Sequence, residues 1–138
     1  MKNNYLNSDV AFDRLYAEYQ KHKKIIIAVD HDDTVYDFHK RGHDHSDVIG
    51  LIQECHRLGF YIVVYTASRQ ERWKTILDYW KDELNIIPSA INQNPFPLPY
   101  GNCGKIYYNI LLDDRAGLAS AYETLRRLVD DINLKETD

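Results

Sequence analysis

The stretch Ile25-Ile26-Ile27-Ala28-Val29-Asp30-His31-Asp32-Asp33-Thr34 decides the fold of this chain. Its apolar half runs without polar relief and stops at a cluster of acids. A short run rich in β-branched residues is the pattern of a strand buried on both faces, as in a parallel sheet. In such sheets, ligands bind outside the carboxyl ends of the strands. Asp30 to Thr34 stand at that end.

Outward from this stretch, strands and helices alternate. Upstream, Ser8 to Lys24 predicts a helix, with Ser8 as its N-cap and Asp9 in the first turn. Lys21, His22, Lys23 and Lys24 close it, where cations suit the helix dipole. Downstream, Asp47 to Leu58 predicts a second helix ended by Gly59. Tyr61 to Tyr65 is a second buried strand, and Arg69 to Leu84 a helix with Trp73, Ile76, Leu77 and Trp80 as its apolar stripe. Ile86 to Ile91 is a weaker strand near an edge, interrupted by Pro88. Asn94 to Gly104 is a loop, Asn109 to Leu112 a strand, and Ala116 to Asn133 the last helix, with a frayed tail from Leu134 to Asp138. This alternation predicts an α/β fold, a three-layer α/β/α sandwich with a mainly parallel central sheet. Residues 1–24 form an N-terminal helix packed on or appended to the core, and 25–138 form the α/β domain.

The composition agrees with this size of unit. The chain has 138 residues, enough for one domain with a real core. Its 17 Lys and Arg against 21 Asp and Glu leave a formal charge of −4, the wrong sign for an extended nucleic-acid footprint. A nucleotide or a nucleic-acid end stays compatible with it. No apolar run approaches the length of a membrane span, and Met1 to Ser8 lacks the apolar stretch of a secretory signal. Cys55 and Cys103 form no spaced framework, so free thiols and a cytoplasmic location are expected. Cys103 has no base beside it in the sequence and is not expected to be a nucleophile.

The chemistry gathers where the strands end. The first strand ends in Asp30, the second in Thr66, and the last in Asp113-Asp114. Neighbouring strands would bring four or five carboxylates together, and these cannot all stay ionised without a compensating charge. Mg²⁺ is the natural hard cation for oxygen ligands. Lys105, just upstream of the last strand, offers a second positive charge. A carboxylate can act as a nucleophile and carry an aspartyl-phosphate.

Together these residues make a recognisable pattern. The chain resembles the haloacid-dehalogenase-like phosphatase superfamily from about Ile25 to Gly117. Asp30, Asp32 and Thr34 match the first motif of that superfamily, Thr66 the second, Lys105 the third and Asp113-Asp114 the fourth. The segments Ala90 to Pro95 and Leu111 to Leu118 are similar to a subgroup of small bacterial and phage members.

The resemblance implies a Rossmann-like core and a Mg²⁺-dependent phosphohydrolase. It makes Asp30 the nucleophile, and Asp32 the acid that protonates the leaving oxygen and then activates water. Thr66, with Ser68 as the competing hydroxyl, and Lys105 would hold the phosphoryl group. Asp30, the Asp32 main-chain carbonyl and Asp113 would bind the metal. Asp114 is either a further ligand or a residue that caps the next turn. Thr34, Ser68 and Arg69 are expected on the substrate. Two departures stand out: His31 replaces a common apolar residue, and Asp33 a common glycine.

Neither gap between motifs has room for a large cap domain, so the site is expected to be open to a nucleotide, a sugar phosphate or a larger phosphorylated substrate. Arg69 is placed to meet a second phosphate or a nucleic-acid end. His39, His43 and His45 match no zinc spacing and predict a mobile polar flap. Trp73 and Trp80 are expected in the core. The alternatives from other classes are a phospho-acceptor signalling module and a non-catalytic binding protein on the same scaffold.

Overall fold

The computed structural model describes residues 4–99 and 104–136. Cys103 lies outside them. Four helices, α1 (Ser8–His22), α2 (Ser46–Arg57), α3 (Gln70–Glu83) and α4 (Leu118–Glu136), flank four strands, β1 (Ile26–Asp30), β2 (Tyr61–Tyr65), β3 (Ala90–Ile91) and β4 (Ile110–Leu112). The sheet is parallel throughout, in the order β3-β2-β1-β4. This is the Rossmann-like sandwich the alternation predicts, without a large cap domain.

Strand β1 is central because its side chains suit no other place. Ile27, Ala28 and Val29 are fully buried. The register sets Asp30 beside Tyr65 of β2, and Val29 beside Leu112 of β4. The chain builds outward from β1 through β2 to β3, then returns to the other side of β1 as β4. The order therefore reverses between β1 and β4. Such a switch point leaves a crevice at the carboxyl ends of the two strands.

Alternate residues of a strand face opposite sides of the sheet. Ile27, Val29, Ile62 and Val64 join one core cluster with residues of all four helices, including Leu15, Leu51, Trp80 and Leu125. Ile26 and Val63 face the other way and meet Ile106, with Tyr107 and Tyr108 packed alongside. Among the described residues, the segment leading into β4 supplies the buried contacts of that cluster. Tyrosines suit the role, since a ring covers the sheet while its hydroxyl stays near water.

Element ends depart from expectation by a few residues. The N-cap of α1 is Asn7, not Ser8: its side chain accepts from the N–H groups of Asp9 and Val10. The helix stops at Lys23, which has a left-handed φ of 61°. Helix α4 continues through the predicted frayed tail to Glu136. The weak strand shrinks to Ala90–Ile91, downstream of Pro88, which has no N–H to give a ladder. Helix α1 lies on α4, with Arg127 bonded to Asp9 and stacked on the Phe12 ring. Trp80 is fully buried as expected, and Trp73 is partly buried against the same core. No helix of the described residues is long and apolar enough to cross a membrane.

Candidate functional site

The carboxyl ends of β1, β2 and β4 open on a cleft of about 1150 Å³. Asp30, Asp32, Thr66, Ser68, Arg69, Asp113 and Asp114 all line it. Seven of the residues expected in the site from the sequence are thus brought together.

Three carboxylates form its centre. Asp30, Asp113 and Asp114 each offer an oxygen, and these atoms lie within 4.8 Å of one another. Asp30 ends β1, while Asp113 and Asp114 follow β4 across the switch point. Thr34 ties the two sides together. Its hydroxyl lies 3.1 Å from Asp30 Oδ2 and 3.2 Å from Asp114 Oδ1, and it accepts the Asp114 N–H at 3.0 Å. Thr34 is fully buried. Its hydroxyl bonds both carboxylates and the Asp114 N–H, so it orients the cluster. Asp113, not Asp114, closes the following turn, accepting the N–H of Arg115 at 2.9 Å.

This crowding has an electrostatic cost. The Asp30 carboxyl is pushed up to about 7, first by burial, then by its neighbours Asp114 and Asp113. Three such oxygens are a donor set that a hard divalent cation can take. The donor set fits one: it is all oxygen, it converges, and its charge is uncompensated.

Asp32 turns away from this cluster. Both its oxygens accept from Arg72, Oδ2 from Nη1 at 2.6 Å and Oδ1 from Nη2 at 2.8 Å. The same Nη1 reaches Ser68 Oγ at 2.7 Å. Arg72 stands on the first turn of α3, with its guanidinium 5.0 Å from the centre of the Phe38 ring. Arg72 has no counterpart among the residues expected from the sequence. It reaches back across the helix start to Ser68, while Arg69, the N-cap of α3, lines the same cleft.

Thr66 is buried and precisely oriented by Asn92, which follows β3. The Asn92 side chain accepts the Thr66 N–H at 2.8 Å and donates to the Thr66 carbonyl at 2.7 Å. The Thr66 hydroxyl in turn accepts the Ser68 N–H at 3.1 Å. Arg69 is exposed and lines the cleft rim.

Lys105 stands elsewhere. It is exposed and lines a neighbouring cleft of about 600 Å³ with Asn92, Asn94 and Phe96. It does not line the carboxylate cleft. Ile106 is the residue this segment buries against the sheet, so the adjacent Lys105 faces outward.

The two departures in the first motif also find their places. Asp33 has a left-handed φ of 62°, a conformation that Gly adopts freely and Asp tolerates better than most residues. His31 is almost fully buried. Its Nδ1 accepts the Trp80 indole N–H at 3.0 Å, and its ring stacks on Tyr36. Burial lowers it to about 4, so it is neutral at physiological pH and belongs to the core.

Hydrogen bonds run within the histidine flap. Asp37 accepts the N–H groups of Arg41 at 3.0 Å and Gly42 at 2.9 Å. His39 pairs with Asp33 at 2.5 Å and lines the cleft. His39, His43 and His45 do not converge into a metal-holding group among the described residues.

No family model matches this chain. No curated protein matches it either. Among solved structures, a conserved protein from Bacteroides thetaiotaomicron is similar, with a TM-score of 0.58 and 18% identity. The likeness covers 75% of this chain and 91% of that one. It shows the fold alone: a Rossmann-like α/β protein. At the switch point of that fold this chain carries an acidic cluster that could hold a metal.

Proposed function

We propose that the protein is a phosphohydrolase of the haloacid-dehalogenase-like type, acting through an aspartyl-phosphate on Asp30. The convergence of Asp30, Asp113 and Asp114 within 4.8 Å at the switch point carries this reading. Asp30, Asp113, Asp114 and the Asp32 carbonyl are the residues to hold Mg²⁺, which when bound neutralises charge on the phosphoryl oxygens.

In this mechanism an Asp30 oxygen attacks phosphorus, and the bond to the leaving oxygen breaks. Asp32 gives that oxygen a proton, then takes one from the water that hydrolyses the phosphoenzyme. Thr66 hydrogen-bonds a phosphoryl oxygen, with Ser68 beside it. Lys105, on its flexible stem, is kept as the second positive charge that closes on the bound phosphate. The absence of a large cap favours an open site and phosphorylated substrates of nucleotide size or larger. The chain is read as one α/β domain over 25–138 with α1 as an added helix.

The test is turnover of p-nitrophenyl phosphate and of nucleoside and sugar monophosphates, with Mg²⁺ and with EDTA. Mg²⁺-dependent hydrolysis abolished by Asp30→Asn is expected. Activity retained in Asp30→Asn sinks the nucleophile assignment.

One observation favours a second reading. With both Asp32 oxygens on Arg72, an aspartyl-phosphate at Asp30 would lack its hydrolytic base. A phospho-acceptor module would then hold its phosphate. A phosphoprotein that outlives acetyl-phosphate removal by hours supports that alternative; rapid loss supports the hydrolase.

A further inference from the structure

The Arg72–Asp32 pair has a consequence for the substrate, resting on the phosphohydrolase reading above. The Arg72 fork holds both Asp32 oxygens toward the start of α3 rather than toward the acidic cluster. Bringing Asp32 onto a leaving oxygen at Asp30 turns the carboxylate away from that fork. Arg72 is poorly placed to lose its partner. Its side chain is only 30% exposed, and its guanidinium lies over Phe38, with Tyr36 at 5.9 Å.

A partly covered guanidinium that gives up a bidentate carboxylate needs a replacement of the same charge and shape. A neutral hydroxyl is no substitute. The phosphoryl group being transferred is already committed to Asp30 and Thr66. What remains is another oxyanion on the same substrate.

We propose that the substrate carries a second oxyanion group, phosphate or carboxylate, which replaces Asp32 on the Arg72 fork and frees Asp32 for proton transfer. Arg72 is then a positioning and specificity-determining residue. Arg69, one helical turn away and exposed in the same cleft, flanks the place this group takes. Substrates with a neutral leaving group leave Asp32 bound to Arg72 and turn over poorly.

The test measures binding, so that it stands apart from turnover. Asp30→Asn protein with Mg²⁺ is titrated calorimetrically with two matched pairs of probes: AMP against adenosine 3′,5′-bisphosphate, and glycerol 3-phosphate against 3-phosphoglycerate. The second anion is expected to tighten binding about tenfold or more in at least one pair, the worth of one charge-assisted contact. Adding Arg72→Met should remove that gain, while a merely structural loss would weaken both members of a pair alike. Replacing Asp32 by Asn instead, in the Asp30→Asn protein, keeps Arg72 and removes its competitor. The gain should then grow. No gain in either pair, a gain that survives Arg72→Met, or a gain that falls with Asp32→Asn overturns the proposal. A gain that behaves as expected in protein whose Asp30 form hydrolyses nothing overturns the phosphohydrolase reading and leaves the exchange on Arg72 standing.

Discussion

Thr34 and Asp114, 80 residues apart, hold each other at two points: the Asp114 N–H donates to the Thr34 hydroxyl, and that hydroxyl lies within reach of the Asp114 carboxylate. The same hydroxyl touches Asp30. One buried oxygen thereby fixes the separation of the two halves of the acidic cluster. Thr34→Val keeps the shape and removes the oxygen. A loss of about 1–3 kcal/mol in chemical unfolding is expected, together with weaker Mg²⁺ binding, because a part-buried donor loses its acceptor. Thr34→Ser should restore much of both. Unchanged metal affinity in Thr34→Val would show that the hydroxyl does not set the cluster.

The Asp30 carboxyl predicts how metal and pH interact. Its value rises from the ordinary 3.8 to about 7 on folding. The folded protein therefore holds that proton longer than the unfolded chain does. Metal-free stability from this group is full below pH 4 and falls as pH rises toward 7. A cation reverses the balance by favouring the ionised form. The gain in melting temperature on adding Mg²⁺ should be larger at about pH 8 than at about pH 5. An equal gain at both would count against Asp30 as a ligand.

His31 acts in the opposite direction. Burial lowers it from 6.5 to about 4. The fold favours its neutral form, so its contribution is full above pH 6.5 and is lost as pH falls toward 4. His31→Leu removes this titration and leaves the Trp80 N–H without its acceptor, at a cost of about 1–3 kcal/mol near neutrality. The stability difference between the two proteins should shrink on acidification across that window. A difference that stays flat would mean His31 is not held neutral.

Asn92 supports the Thr66 side of the site. Its side chain makes two bonds to the Thr66 peptide, and its backbone has a left-handed φ of 53°. Asn92→Gly keeps the backbone geometry and loses the bonds, and should lower kcat with little change in the overall fold. Asn92→Ala loses both and should be about 1 kcal/mol less stable than Asn92→Gly. Circular dichroism melts and steady-state kinetics on the pair separate the two effects. Full activity in Asn92→Gly would remove Asn92 from the support of Thr66.

Much of this site is legible in the sequence because the strands announce their own ends. An apolar run that stops at an acid, as at Val29-Asp30 and Leu112-Asp113, reports both a buried strand and the edge where its chemistry sits. The parallel order then brings those ends together without further information. Arg72 was not legible for the opposite reason. It lies in a charged helical turn, and nothing in its spacing tells which charged side chain bends back to the sheet edge. Asn92 reads as an ordinary turn residue after a weak strand. His31 reads as polar, yet Trp80, 49 residues away, supplies the partner that makes its burial tolerable. The packing of an irregular segment on the second face was hidden too, since Ile106, Tyr107 and Tyr108 carry no regular period.

The place of β1 at the centre of the sheet bears on how the protein comes into being. Its amide at Ile26 bonds to Asn109, 83 residues later, and the strand stays unpaired on one side until β4 exists. Such distant pairing slows folding, because a long loop must close before any contact rewards it. A ribosome would have to release nearly all of the chain before β1 is complete. The acidic cluster needs the same closure, for Asp113 and Asp114 arrive with β4. Folding and the assembly of the acidic cluster are thus one late event, and a chain cut before β4 should hold neither.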